Sequence, residues 1–475
     1  MFNHLRLRMS LITACMLLIM LLLQSAAWAA PNAVVSKIRT SQNVETVRIV
    51  FDVSALPEYT VTTIENPLRL VIDMPGAVNK AAAQYVFNDP TVGKLRLAEA
   101  EPGKLRAVLD MKTAYMYKVF TLKNPNRLVV DIIKNYEQKL VEEPAPGIKY
   151  TSWLRNSASG PVWAHILDVD PKAGFAIKPV LSNGAIQGLE PLLPMVERSR
   201  AIAAVNGSYF GLDGSIIGLL KIDGEIASTP EVPRTALGIM PDGKLFIDQV
   251  HYEGKIELPD TRTVPINAVN RERGENELVL YNGLYAPATG SNNFGIEYVV
   301  VNGKVTAVNT SNSPIPSDGF VLSAHGAAAR LISCLKVGDS VKVNQTLGPE
   351  WDKTQHALGA GPMLVKNNSV FLTTKIEEFG SDVAGGRAPR TALGLKADGN
   401  ILVVVVDGRH ENSIGMTLLE LALFMQELGA QDAMNLDGGG SSEMVLNGKI
   451  VNKPSDGRER RVGDALAIML PRVAN

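Results

Sequence analysis

The sequence predicts an α+β protein: a large, mixed, strand-rich domain with a few helices, preceded by a small all-β sandwich. Three observations lead there. Two pairs of internal near-repeats are each built from strands, Asn-Gly or Asp-Gly hairpin signals recur along the chain, and helical periodicity is confined to short stretches. The 475 residues, 46% of them hydrophobic, supply more than one packed core. Lysine and arginine total 47 against 48 acids, a net charge of −1, which gives no general attraction to nucleic acid.

The N-terminus reads as an address. Arg6 and Arg8 precede an apolar run from Leu11 to Leu23, and Ala27-Trp28-Ala29 supplies small residues for cleavage. Residues 1–29 are therefore expected to be a secretory signal peptide. The run is shorter than the roughly 18 residues a membrane span needs, and an uncleaved anchor is the alternative. Cleavage removes Cys15 and leaves Cys334 alone, so no internal disulfide is expected. The mature chain is expected in the periplasm, the cell envelope or outside the cell, with no membrane span of its own.

Residues 33–135 come next. Glu65-Asn66-Pro67-Leu68-Arg69-Leu70-Val71-Ile72-Asp73 is echoed by Lys123-Asn124-Pro125-Asn126-Arg127-Leu128-Val129-Val130-Asp131, 124 − 66 = 58 residues later. Each copy is a turn and a strand, and an alternating strand precedes each, at Thr46–Asp52 and Lys104–Asp110. That is a small all-β unit of two similar halves. Residues 136–149, with Glu142-Glu143-Pro144-Ala145-Pro146-Gly147, read as a polar linker.

The large domain is expected over 150–473. Pro233-Arg234-Thr235-Ala236-Leu237-Gly238 recurs as Pro389-Arg390-Thr391-Ala392-Leu393-Gly394, 390 − 234 = 156 residues on, and each copy runs into an Asp-Gly turn and an apolar strand. Leu418, Leu421, Ala422 and Met425 mark one face of a helix over 417–428. Thr417 and Glu420 form its capping box and Gly429 its stop. A shorter helix is expected over 191–200.

Several segments can carry chemistry. Asn435-Leu436-Asp437-Gly438-Gly439-Gly440-Ser441-Ser442 follows apolar residues, and its glycines permit an anion nest of N–H groups, or on their own a wide hairpin. Ile401–Val406 is a continuous apolar run, the mark of a buried central strand, and Asp407 and Arg409 emerge at its end. Arg234 and Arg390 can clamp one phosphate or carboxylate, or can each pair with a structural acid. Asn206 and His325 each follow an apolar strand, and His410 adjoins Arg409. The chain has no H-x-H, H-E-x-x-H, G-x-S-x-G or P-loop pattern, which argues against a zinc hydrolase, an α/β-hydrolase elbow and a P-loop nucleotide site.

In order, Asn206-Gly207-Ser208-Tyr209-Phe210, Arg390-Thr391-Ala392-Leu393-Gly394, Asp407-Gly408-Arg409, the Glu420 helix and the Asn435–Ser442 segment resemble the phosphodiester glycosidase family. Its animal member removes N-acetylglucosamine from a phosphodiester to expose mannose 6-phosphate. The likeness covers about 150–471, without the animal enzyme's cysteine-rich and membrane-spanning parts, and so points to a bacterial envelope glycan. Residues 33–135 resemble the AMIN domain of exported envelope proteins, which implies binding to a cell-wall or envelope polymer.

The resemblance implies hydrolysis of a sugar C1–O bond with a phosphate monoester leaving. Phosphate leaves readily, its second pKa being about 6, so cationic and N–H groups matter more than a general acid. Asp437 is the first candidate carboxylate, Asp407 the second and Glu420 the third. Asn206, Arg234, Arg390, Thr391, Arg409, His325, Asn435, Gly438, Gly439, Gly440, Ser441 and Ser442 are the candidate substrate-binding residues. No cofactor is implied beyond a divalent ion that Asp407 and Asp437 would admit. The alternatives are a non-catalytic glycan-binding or scaffold protein, and a phosphodiesterase that cuts P–O.

Overall fold

A computed structural model describes residues 33–470, except 44, 114, 135, 136, 158, 159 and 411. The export signal expected at 1–29, with Cys15, lies outside the described residues. Among the described residues no helix is long and apolar enough to cross a membrane. The chain divides at 136/137 into two compact units. Strands far outnumber helices in both, so the α+β expectation narrows to mostly β with a few helices.

The first unit is a sandwich of ten strands: β1 (Ala33–Gln42), β2 (Thr46–Val53), β3 (Thr60–Glu65), β4 (Leu68–Pro75), β5 (Ala77–Asn79), β6 (Gln84–Val86), β7 (Val92–Glu101), β8 (Lys104–Met111), β9 (Tyr115–Leu122) and β10 (Arg127–Lys134). Alternation sends Val47, Ile49 and Phe51 of β2 and Leu105, Ala107 and Leu109 of β8 inward, into one core. The sheet orders are β5-β1-β2-β10-β9 and β3-β4-β8-β7-β6. The two sequence halves are therefore exchanged: the first half's β1–β2 hairpin joins the second half's β9–β10, and β7–β8 joins β3–β4. The ion pairs repeat with the sequence. Arg48 of β2 meets Asp131 of β10 at 2.7 Å, and Arg106 of β8 meets Asp73 of β4 at 2.6 Å. Both partners are displaced by the same interval, 106 − 48 = 131 − 73 = 58.

The second unit is organised by an eight-stranded sheet. Its order is Glu137–Ala145, Ile148–Ser157, Gly160–Val169, Ile401–Val406, Arg390–Lys396, Ala430–Asn435, Met363–Lys366 and Ser369–Val370. The residues expected as a linker over 136–149 are thus corrected. They form the edge strand Glu137–Ala145, a turn, and the start of the next strand. Edge strands tolerate charge and proline because one side pairs with nothing, which makes them resemble linkers in sequence.

The Ile401–Val406 run lies in the middle of this sheet, buried on both faces. Val403 and Val405 join a core shared with two five-stranded sheets, through Leu358, Met444 and Leu466 among others. Leu402, Val404 and Val406 meet Leu418, Leu421, Phe424 and Met425 of the helix Leu418–Glu427. Thr417 and Glu420 form the expected capping box, and the second expected helix spans Leu192–Ser199.

One of those five-stranded sheets has the order Ala176–Leu181, Asp464–Met469, Ala201–Asn206, Met444–Leu446 and Lys449–Ile450. The other holds the first Pro-Arg-Thr-Ala copy, in the order Glu225–Ser228, Leu220–Ile222, His356–Gly359, Arg234–Ile239 and Leu245–Val250. The two repeat copies are both antiparallel hairpins, Arg234–Ile239 with Leu245–Val250 and Arg390–Lys396 with Ile401–Val406. A third five-stranded sheet contains Gly319–His325 and packs in a separate core.

Candidate active site

Two sheets end at one place. Ala430–Asn435 pairs with Arg390–Lys396, with Ala392 opposite Asn435. Beyond the paired region the Leu436 N–H bonds the Thr391 carbonyl at 2.9 Å. The Asp437 N–H then bonds the Gly207 carbonyl at 3.0 Å, just past Ala201–Asn206 in the neighbouring sheet.

Asn206 ties this junction together. Its Nδ2 donates to the Asp437 carbonyl at 2.6 Å, and its Oδ1 accepts from Thr391 Oγ1 at 2.7 Å and from the Glu443 N–H at 3.2 Å. Asn206, Thr391 and Asn435 are all buried. Asn435 Nδ2 donates to Tyr209 Oη at 2.9 Å, and its Oδ1 is buried without a hydrogen-bond partner, as is Ser442 Oγ.

The glycine run does not form an open nest. The Gly438 N–H bonds Asp437 Oδ1, the Gly439 N–H bonds the Pro389 carbonyl, and Ser441 and Ser442 close a tight turn over Gly439–Ser441. The glycines serve close approach instead. A Cβ on Gly439, whose φ is +63°, would lie 3.2 Å from the Arg409 guanidinium, and one on Gly440 would lie 2.0 Å from that of Arg460. Two cations therefore rest on the loop that carries Asp437. Arg460 pairs with Asp456 at 2.7 Å. Arg409 is exposed and makes no ion pair among the described residues.

Burial pushes the Asp437 carboxyl up to about 6, while the Ser441 side chain, the Gly438 N–H and Arg460 pull it down. Part of its surface nevertheless stays open. Asp464, at the start of Asp464–Met469, lies on the other side of the Asn206–Ser208 turn. It accepts from the Ser208 N–H at 2.7 Å and Ser208 Oγ at 2.9 Å. Burial pushes it up to about 6, the Ser208 bonds oppose this, and the charge of Asp437 adds to it. Glu443 is pushed up to about 8 by burial and by the adjacent Glu459.

Arg390 is one strand from Asp437 but does not reach for an anion. Its three guanidinium nitrogens donate to the carbonyls of Met416, Val383 and Gly386 at 3.0–3.1 Å. Arg234 lies over the Phe379 ring, 4.3 Å from its centroid. Both cations act on Tyr209, whose hydroxyl burial and Asp437 hold above the usual phenol range. The repeated arginines thus flank one tyrosine, and the two-armed clamp is not formed.

The other two candidate carboxylates have structural partners. Asp407 Oδ1 accepts from Asn452 Nδ2 at 3.1 Å and the Lys453 N–H at 3.0 Å, and Oδ2 faces His165 Nε2 at 3.3 Å. It tethers the 452–453 segment to the central strand. Glu420 caps its helix and pairs with Arg387. His325 ends Gly319–His325 in the separate sheet, where its N–H bonds the Glu277 carbonyl, and no hydrogen bond or ion pair brings it to Asp437. Among the described residues no three His, Cys, Asp or Glu side chains gather as metal ligands. Asp464, Tyr209 and Glu443 are not among the site residues expected from the sequence. An acid heading an apolar strand, as Asp464 heads Ala465–Met469, is the signal that marks the first of them.

Residues 294–469 match the model of the phosphodiester glycosidase family, and residues 37–132 match that of the AMIN domain. Over residues 294–469 the chain is thus similar to phosphodiester glycosidases. The chain is 32% identical over 102 residues to the mouse N-acetylglucosamine-1-phosphodiester alpha-N-acetylglucosaminidase, covering 20% of each chain. It is 45% identical over 84 residues to a prophage-derived protein of Bacillus subtilis, covering 18% of this chain and 13% of that one. The matches thus span about a fifth or less of these relatives. A solved Synechocystis protein shares the fold with a TM-score of 0.65 at 24% identity, covering 92% of this chain and 80% of its own. A Burkholderia pseudomallei protein, provisionally named as exported, has a TM-score of 0.58 at 23% identity, covering 87% of this chain and 96% of its own.

Proposed function

We propose that the chain hydrolyses the C1–O bond between an N-acetylglucosamine-type sugar and a phosphate in an envelope or extracellular glycan. The observation that carries this reading is the loop Asp437–Ser442. It holds a partly open carboxyl poised near neutrality and bears two guanidinium groups against its glycines.

Asp437, ionised above pH 6, takes a proton from water as the water oxygen attacks C1, or attacks C1 itself and is released by water in a second step. The C1–O bond breaks and its electron pair passes to the phosphate oxygen. Arg409 and Arg460, which rest on the glycines of this loop, face that developing charge. Arg390 and Asn206 hold the surrounding strands and loops in place. The two routes give opposite anomers, which product NMR distinguishes.

Export agrees with the AMIN match, and polymer binding is assigned to 33–135. The test is incubation with a synthetic GlcNAc-α-1-phosphate alkyl ester, with and without chelator. Free sugar and alkyl phosphate are expected. Sugar phosphate and alcohol would mean P–O cleavage, and saturable binding without product would mean a glycan-binding module.

A further inference from the structure

A cleft of about 770 Å³ opens where the Leu220–Ile222 and Glu225–Ser228 hairpin meets Leu278–Tyr281, Gly319–His325 and Lys342–Thr346. None of the candidate active-site residues lines it. Its volume falls within the usual range for a small-ligand site.

The floor is apolar. Ile226, Phe320 and Val343 pack partly against the core and keep a face toward the opening. The charges around it are unbalanced. Lys221, the cation on the wall, is buried and spends its ammonium on the carbonyls of Trp351 and Asp352 and on Thr354 Oγ1. Asp352 is likewise occupied, by the Leu347 N–H and Thr346 Oγ1. The Glu225 side chain is exposed and has no ion pair or hydrogen bond among the described residues, and partial burial raises its pKa. Asp223 has only His356 near it, at 3.7 Å, and burial holds that imidazole toward its neutral form.

An uncompensated acid beside an apolar floor repels phosphate and attracts a cation carried on a carbon skeleton. A saturated ring with one apolar face can lie on Phe320, which lines the cleft. We propose that this cleft binds a glycan bearing unacetylated amino sugars, with the ammonium on Glu225 and the apolar face of the ring on Phe320. The site is independent of the hydrolysis assigned to Asp437.

The probe is the glucosamine tetramer, titrated by calorimetry into the full chain at pH 6.5, where its amines are charged. Saturable binding is expected, at least 10-fold tighter than for the N-acetylglucosamine tetramer. Glu225→Gln and Phe320→Ala should each weaken it at least 10-fold. Glu225→Gln should hydrolyse the synthetic phosphodiester at the wild-type rate, which separates this site from the reaction centre. Equal affinity for the two tetramers, unchanged binding by Glu225→Gln, or equal binding of a lysine-containing peptide would overturn the proposal.

Discussion

Asp437 is a carboxyl whose charge the fold disfavours. Because its pKa is raised from 3.8 to about 6, the native state holds this proton more tightly than the unfolded chain does. Stability contributed by that proton is present below pH 3.8 and is lost as pH rises toward 6 and beyond. Asp437→Asn should therefore melt higher than wild type at pH 8, by on the order of 3 kcal/mol at most. The difference should vanish near pH 3.5, as calorimetry at the two pH values will show. The same variant should lose about 10³-fold in kcat while retaining its circular dichroism spectrum. The acid limb of the rate profile should fall near pH 6. Asp464→Asn should move that limb to lower pH, since repulsion between the two carboxylates is mutual. The sequence displayed Asp437 because three glycines follow it. It displayed Asp407 as strongly, through the apolar strand before it, but the partners that make Asp407 a tether come from Asn452, Lys453 and His165. Only the tertiary fold brings those residues together, and the same holds for the carbonyls that occupy Arg390.

Strands and turns were easier to read than side-chain partners, because their signals are local. Ile401–Val406 announced burial on both faces, and the Thr417–Glu420 capping box announced a helix start. Thr417→Ala should cost about 1 kcal/mol in denaturant unfolding through loss of that cap. Glu137–Ala145 misled for an equally physical reason: almost every residue along it is exposed, so neither face carries a hydrophobic alternation. The glycine turn has its own test. At Gly440 an added methyl meets the ends of Arg460 and Asp456, which are flexible, and no backbone atom is among its nearest contacts. Gly440→Ala should therefore raise KM for the phosphodiester about 10-fold through displaced Arg460. Its melting temperature should change little.

At the scale of the whole chain, the two units have separate cores, and the 58-residue echo was legible as a pair of halves. Their exchange between sheets was not, since strand spacing fixes the repeat and leaves the pairing open. Residues 33–134 expressed alone should unfold in a single cooperative transition, because their core is complete within that stretch. Arg48→Ala and Arg106→Ala should each cost on the order of 1 kcal/mol, Arg106→Ala the less, since Lys104 remains 3.5 Å from Asp73.

That exchange also bears on how such a unit arose. Each sheet needs a hairpin from both halves, so a lone 58-residue copy would leave β2 and β4 each unpaired on one side. A one-copy ancestor would have been a homodimer with a two-fold axis, its protomers trading hairpins across the axis. Tandem fusion then turned an association that dilution could undo into one that it cannot.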